Sequence, residues 1–140
     1  MTTSVEPAMT AEEIGKEELT AHLKRLGFAS IVSLFGGIFV TIDSPFNQGF
    51  STLTTGWAII NLIICIASAL GRNKPMLIQK TREFLWLNMG LNCGYIGVGT
   101  AMAMLGDPWA HGAGWAVIVQ GAILFVLDGY LIRRFPKLSS

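Results

Sequence analysis

Four long stretches with almost no charge constrain this chain more than any other feature of its sequence. They cover residues 26–42, 52–71, 84–106 and 114–132, and Asp128 is the one charged residue among them. A helix needs about 20 apolar residues to cross the ~30 Å hydrocarbon core of a bilayer. Only 14% of the 140 residues are charged, so four buried soluble helices would leave almost no polar surface. The sequence predicts an all-α integral membrane protein, a four-transmembrane-helix bundle spanning residues 26–134.

The basic residues set the direction of the predicted spans. All ten lie before the first span, between the second and third, or after the fourth: Lys16, Lys24, Arg25, Arg72, Lys74, Lys80, Arg82, Arg133, Arg134 and Lys137. The other two connections contain none. Because basic loops stay in the cytoplasm, the N- and C-termini and the middle connection are expected there.

The segments outside the spans have simpler predictions. Residues 1–9 are expected to be a disordered tail, and residues 135–140 a cytoplasmic tail. Residues 10–25 predict a cytoplasmic amphipathic helix, in which Thr10 and Glu13 match the capping-box pattern. This helix either leads into the first span along the headgroups or docks a partner. Its glutamates argue against a cleavable signal peptide.

A short motif recurs in the second and fourth spans. Gly56-Trp57-Ala-Ile-Ile matches Gly114-Trp115-Ala-Val-Ile, and at the same offset Gly36 falls on Gly94. Each half would then be a helical hairpin that starts in the cytoplasm. Two hairpins of the same direction make a parallel repeat about an axis along the membrane normal.

Polar residues within the spans are the candidate functional residues. Asn88, Asn92 and Tyr95 share one face of the third helix, and Gln120 and Asp128 one face of the fourth. At ~1.5 Å per residue, Asn88 and Asp128 lie at similar depth from the cytoplasmic ends. Asn92, Tyr95 and Gln120 lie near the midplane, together with an asparagine of the second span. These depths predict a polar seam between spans two, three and four, formed by Asn61, Asn88, Asn92, Tyr95, Gln120 and Asp128.

Two interpretations of the seam remain open. In the first, its amides fix the packing of the helices, and Asp128 accepts hydrogen bonds from Asn88 or Ser30 or reaches the headgroups near Arg133. In the second, the seam is a ligand or proton site in which Asp128 titrates. Its shallow depth and lack of a basic partner at that depth weigh against a proton relay. His22 and His111 are predicted on opposite sides of the membrane.

Small residues predict close helix packing or an oligomer face. Gly90 and Gly94 form a GxxxG pair, and Ser33 and Gly37 are spaced alike on the first helix. Cys65 and Cys93 are expected to be buried apolar residues. The sequence contains no pattern typical of a nucleotide, metal, cofactor or nucleic-acid site, and no catalytic constellation.

The C-terminal half resembles a known family. FLWLNMGLNCGYIGVG, followed by GAGWAVIVQGAILFVLDGYLI, resembles a family of short uncharacterised bacterial membrane proteins, a domain of unknown function. The resemblance implies the four-helix fold and a bacterial inner membrane, and adds no activity. It carries over a set of polar residues: Asn61, Asn88, Asn92, Tyr95, Gln120 and Asp128. Members often have Asp at the position of Asn92, so a carboxylate is missing here, which argues mildly against proton coupling.

The expected function follows from what the sequence contains and lacks. We expect a non-enzymatic membrane component, either an accessory subunit or scaffold for other membrane proteins or a lipid-binding protein. The alternative is a small transporter or ligand-binding protein that uses the polar seam. Other membrane proteins, lipid or a second copy bound through the small-residue faces are the expected partners.

Overall fold

The protein is an all-α four-helix bundle. The computed structural model describes residues 9–71 and 75–137, which form α1 (Ala11–Phe39), α2 (Pro45–Leu70), α3 (Ile78–Ala103) and α4 (Pro108–Arg134). Two short connections, residues 40–44 and 104–107, lie at one end of the bundle, called here the turn end. The opposite end holds the start of α1, the start of α3 and the end of α4, and is called the basic end. The predicted disordered tail lies outside the described residues except for Met9.

Capping side chains account for where three of the helices begin. Thr10 accepts a hydrogen bond from the Glu13 backbone N–H while the Glu13 carboxylate accepts one from the Thr10 N–H, so the predicted capping box is confirmed. Ser44 caps α2 and Asp107 caps α4, each directly followed by a proline at the first helical position. Proline suits that position because its fixed φ is helical and no N–H is needed there.

Helix boundaries differ from the predicted segments in two places. α1 continues without a break from Ala11 through Arg25 to Phe39, so the predicted cytoplasmic helix and the first span are one helix. At the other terminus, Phe135 is not part of a free tail, because it is only 2% exposed. It packs in an apolar cluster with Ile78, Leu85 and Leu131 at the basic end.

α4 is the central helix of the bundle. It packs against α3 and α2 along their lengths and also contacts α1, while α1 packs mainly on α2. α2 and α3 are joined by side chains, since the Trp57 and Tyr95 rings meet edge to face with centroids 4.8 Å apart. The two hairpins therefore meet through α2 and α4, the helices that carry the repeated motif.

Glycines allow the helices to touch backbone to backbone near the turn end. A Cβ at Gly112 would collide with the Phe46 backbone, and one at Gly49 with the Trp109 backbone, so α2 and α4 are in direct contact there. α3 and α4 meet similarly, since a Cβ at Gly99 would lie 2.8 Å from the Gly114 carbonyl oxygen. Such close approach requires residues without a side chain.

The predicted small-residue faces divide between two roles. Gly37 is buried and lies against Thr55 and Ser51 of α2, so it serves packing within the bundle. Gly90 and Gly94 do not, because both are exposed and nothing lies within 4 Å of a Cβ placed there. The GxxxG pair of α3 faces outward.

Two of the helices, α2 and α4, are long and apolar enough to cross a membrane. Length and composition alone do not separate such helices from the core helices of soluble proteins. α1 has only residues 26–39 after its last charged residue, and the uncharged part of α3 includes two asparagines and four glycines. These features lower the apolar character of α1 and α3 relative to the other two helices.

Candidate functional site

The candidate site is a buried polar cluster centred on Asp128 of α4. The Asp128 Oδ2 accepts a hydrogen bond of 2.7 Å from the Asn92 amide of α3. Its Oδ1 lies 3.2 Å from Nε2 of His22 on α1. All three residues are more than nine-tenths buried: Asn92 is 3% exposed, His22 5% and Asp128 7%. Both carboxylate oxygens are thus occupied, which offsets part of the cost of burying the group.

The partners of Asp128 differ from those expected from the sequence. Asn92 takes the place assigned to Asn88, and Ser30 donates instead to the Leu26 carbonyl of its own helix, at 2.7 Å. The direction of side chains explains the first difference, since each Cα–Cβ bond tilts toward the N-terminus of its helix. α3 and α4 are antiparallel, so Asn92 and Asp128 lean toward each other. Asn88, one turn earlier, leans away and is only half-buried.

His22 is a residue of the candidate site that was not predicted from the sequence. It lies on a buried line along α1, at positions 15, 22, 26, 30 and 37, all of which share one helix face. That spacing was visible in the sequence. It was obscured by Lys24 and Arg25, which placed His22 outside the first predicted span. The continuity of α1 brings the imidazole to Asp128, which therefore has a basic partner that the sequence did not predict.

A second polar contact joins α4 to α1 closer to the middle of the bundle. The Gln120 amide donates to the Ser33 hydroxyl over 3.0 Å. Gln120 lies two helical turns before Asp128, on the same face of α4. α4 therefore presents its polar side chains to α1 at two levels, and the seam includes α1 as well as α3.

The remaining predicted residues lie apart from these contacts. Asn61 is 5% exposed within α2 and takes part in neither contact. Tyr95 is half-buried against Trp57 and closes the gap between α2 and α3. Of the predicted residues, Asn92 of α3 and Asp128 of α4 are hydrogen-bonded to each other, whereas Gln120 makes a separate contact two turns away. The other three, Asn61, Asn88 and Tyr95, lie outside both contacts.

Two buried nitrogen atoms beside the cluster have no hydrogen-bond partner among the described residues. They are Nδ1 of His22 and one terminal nitrogen of Arg25, three residues later on α1. The Arg25 guanidinium lies 4.7 Å from the centre of the Tyr130 ring, and Arg134 approaches the same ring at 5.4 Å. Residues three apart share a helix face, so both unpaired nitrogens lie on the side of α1 that meets α4.

The chemistry available to the cluster is narrow. A carboxylate paired with an imidazole exchanges protons and binds polar groups, and the free His22 nitrogen leaves capacity for one more hydrogen bond. Within residues 9–71 and 75–137, no three His, Cys, Asp or Glu side chains are placed to hold a metal ion. Cys65 donates weakly to the Leu23 carbonyl, at 3.6 Å, rather than to the cluster.

Comparison with known proteins places the chain in a family. The model of a family of unknown function, DUF6992, matches residues 25–129, three quarters of the chain. The protein belongs to the DUF6992 family. The DUF6992 match includes Asn92, Gln120 and Asp128. It begins at residue 25 and therefore does not include His22. The chain has no significant match among curated proteins or among solved structures.

Proposed function

We propose that this DUF6992 protein is an integral membrane protein of the bacterial inner membrane that crosses the bilayer four times, with both termini cytoplasmic. In that setting it serves as a non-enzymatic component, either an accessory or scaffold subunit or a lipid-binding protein. The observation that carries the proposal is an inverted distribution of polarity, with apolar side chains on the outside of the bundle and polar ones inside.

The outward-facing side chains support a lipid environment. Large apolar residues on every helix are more than half exposed, among them Phe28, Phe39, Ile63, Leu70, Trp86 and Val126. A monomeric soluble protein rarely exposes apolar surface on this scale. In the most apolar 18-residue windows of α2 and α4, only 17% and 39% of the residues are buried, whereas the core helix of a soluble protein would be mostly buried.

Lengths and charges support the four crossings and their direction. Helices of 26 to 29 residues extend about 40 Å, which exceeds the ~30 Å hydrocarbon core. At the basic end the charged start of α1 contacts the end of α4 and the connection before α3, since Arg134 pairs with Glu18 at 3.7 Å and the Met76 N–H donates to Glu12. The two connections at the turn end contain no Lys or Arg, as expected of loops outside the cytoplasm.

The role as a partner-binding component rests on two features, a polar cluster that links three helices and a small-residue face on the outside of the bundle. Asn92 and His22 each contact one oxygen of Asp128, so the cluster links three helices, which is the arrangement expected of side chains that fix helix packing. The outward GxxxG pair, Gly90 and Gly94, provides a face on which another transmembrane helix could approach closely. Lipid and other membrane proteins are therefore the proposed partners.

Affinity purification in mild detergent tests this role. Tagged wild type and Asp128→Asn should copurify with the same stoichiometric partner or lipid, because asparagine retains a hydrogen bond to Asn92. The matched control, Glu17→Gln, removes an exposed carboxylate on α1. Loss of the partner in Asp128→Asn alone, with an unchanged circular dichroism spectrum, would contradict a purely structural role for the cluster.

One observation favours a second candidate, a small transporter or ligand-binding protein. His22 gives the cluster a second titratable group, and its buried Nδ1 has no partner in the described part of the chain. Such a site would bind a small polar ligand or a proton between α1, α3 and α4. Proton flux or ligand uptake into proteoliposomes that is abolished by both His22→Gln and Asp128→Asn would favour it over the subunit role.

A further inference from the structure

We propose that the basic end binds the headgroup of an anionic phospholipid of the cytoplasmic leaflet, in a cavity between α1, the end of α2 and the start of α3. The proposal rests on the membrane orientation proposed above. The cavity has a volume of about 330 Å³ and is distinct from the Asp128 cluster. It is lined by residues of all three helices, including Lys16, Leu23, Ser68, Leu77 and Lys80.

Charge in the cavity fits a negative ligand. Lys16 and Lys80 are both in its lining, and none of its described lining residues is acidic. The Lys16 ammonium also pairs with Glu12 at 2.7 Å, and the same carboxylate accepts from the Met76 N–H at the cavity wall, which offsets part of the positive charge there. An ammonium has three donors, so Lys16 retains capacity for a phosphate oxygen.

Polarity within the cavity changes along the proposed membrane normal. Lys16 lies seven residues before Leu23 on α1, about 10 Å further toward the cytoplasm. The contact of Gly15 with Ile78 sets α1 beside α3, which brings Lys80 close to the level of Lys16. Thr20 and Ser68 add hydroxyls between the charged and the apolar ends. A phospholipid has the same sequence of groups, from a charged phosphate through polar esters to acyl chains.

The start of α3 adds to this electrostatic environment. α3 begins at Ile78 without a side-chain cap, unlike the other three helices, and Leu77 and Lys80 line the cavity. Backbone N–H groups of a first helical turn favour a negative partner. The apolar wall and the two lysines select a lipid rather than a free anion, because a soluble phosphate leaves Leu19 and Leu23 uncovered.

Native mass spectrometry of the full chain in detergent tests the proposal with phosphatidylglycerol and phosphatidylcholine as probes. Wild type should retain one phosphatidylglycerol in preference to phosphatidylcholine. Each lysine should contribute about fivefold to that preference, so Lys16→Gln/Lys80→Gln should lose most of it. The control Lys24→Gln/Lys137→Gln removes two basic residues outside the cavity and should keep the preference. An equal loss in both double variants, or retention in the first, would overturn the site.

Two further arms separate the alternatives. Ser68→Phe fills the cavity without changing charge and should also abolish the preference, whereas unchanged binding would overturn the location. An excess of inorganic phosphate should leave phosphatidylglycerol bound, and full displacement of the lipid would show a phosphate site instead of a lipid site.

Extraction of the membranes at alkaline pH distinguishes the proposed membrane location from the proposed lipid site. Release of the protein would contradict the membrane assignment, whereas a retained protein without lipid preference would contradict only this inference.

Discussion

At the turn end the helices touch backbone to backbone, whereas at the basic end they are held by side chains. Gly112 brings α4 against the Phe46 backbone of α2 in the first region. In the second, His22 and Asn92 reach Asp128 from two different helices, and a cavity remains between α1, α2 and α3. Contact through glycine leaves no room for a ligand. Polar contacts between separated helices leave both space and unpaired donors, so function is expected at the basic end.

The largest effect is expected from removing one partner of the buried pair. His22→Leu leaves the Asp128 carboxylate buried with Asn92 as its one remaining partner, and should cost about 3 to 5 kcal/mol of unfolding free energy. The matched control at the turn end, His111→Leu, removes an exposed histidine whose ring contacts the Ala103 carbonyl, Trp115 and Phe46. It should cost only about 1 kcal/mol, because these contacts leave no buried charge without a partner. Unfolding in detergent, followed by circular dichroism, measures both. Because His22→Leu/Asp128→Leu also removes the charge, it should recover most of the loss.

A methyl group added at the turn end should have the next largest effect. Gly112→Ala forces the α2 and α4 backbones apart and should destabilise the protein by about 1 to 3 kcal/mol. Gly90→Ala places the same methyl group in open space and should raise stability by about 0.5 to 1 kcal/mol. Thermal unfolding of the two variants in the same detergent compares them. Similar losses in both would mean that the helices do not meet as described.

The start of α1 is expected to depend on its capping box. Thr10→Ala should cost about 1 kcal/mol, because the first turn loses its side-chain acceptor. Hydrogen bonds from Thr10 hold the pKa of the Glu13 carboxyl below its usual range. The stabilisation is therefore present above the ordinary carboxyl pKa and is lost as the pH falls through the lowered value. The difference in melting temperature between wild type and variant should be largest at neutral pH and should shrink in acid, where the Thr10 hydroxyl loses its carboxylate acceptor. Part of the difference should persist, because the variant still lacks an acceptor for the Glu13 N–H.

The smallest effect is expected where α1 and α4 share one neutral hydrogen bond. Gln120→Leu removes the contact with Ser33 and should cost about 0.6 kcal/mol, the typical value for such a bond between membrane helices. Asn61→Leu is a useful control, since Asn61 is buried but outside the cluster. A loss of several kcal/mol for Gln120→Leu in a denaturant titration would place the key contact in the middle of the bundle instead.

The sequence predicted the four long helices of the bundle and most of the polar residues that the structure buries, but it separated the start of α1 from the first span. Thr10, Ser44 and Asp107 are local signals, so helix starts depend on residues that are adjacent in sequence. Partners across helices were not predictable in the same way. Asn92 replaces Asn88 beside Asp128 because side chains lean along antiparallel helices, which a count of residue depth ignores.

Two other features depend on how each helix is rotated. Gly90, Gly94 and Gly99 all lie on α3, but only Gly99 packs against α4, at Gly114. The other two face outward. His22 was separated from the first span because charge alone marked the boundary at Arg25. Its spacing with Leu26 and Ser30 on one face of α1 was visible in the sequence, but the pairing of that face with α4 depends on the rotation of the helix.

Cysteine labelling tests most directly whether the bundle lies in a membrane with the basic end in the cytoplasm. In a background with Cys65→Ala and Cys93→Ala, single variants Asp43→Cys and Glu17→Cys mark the turn end and the basic end. In sealed right-side-out vesicles, a membrane-impermeant maleimide should label position 43 alone, and both positions after permeabilisation. Equal labelling of both positions in sealed vesicles, or labelling of position 17 alone, would contradict the proposed arrangement.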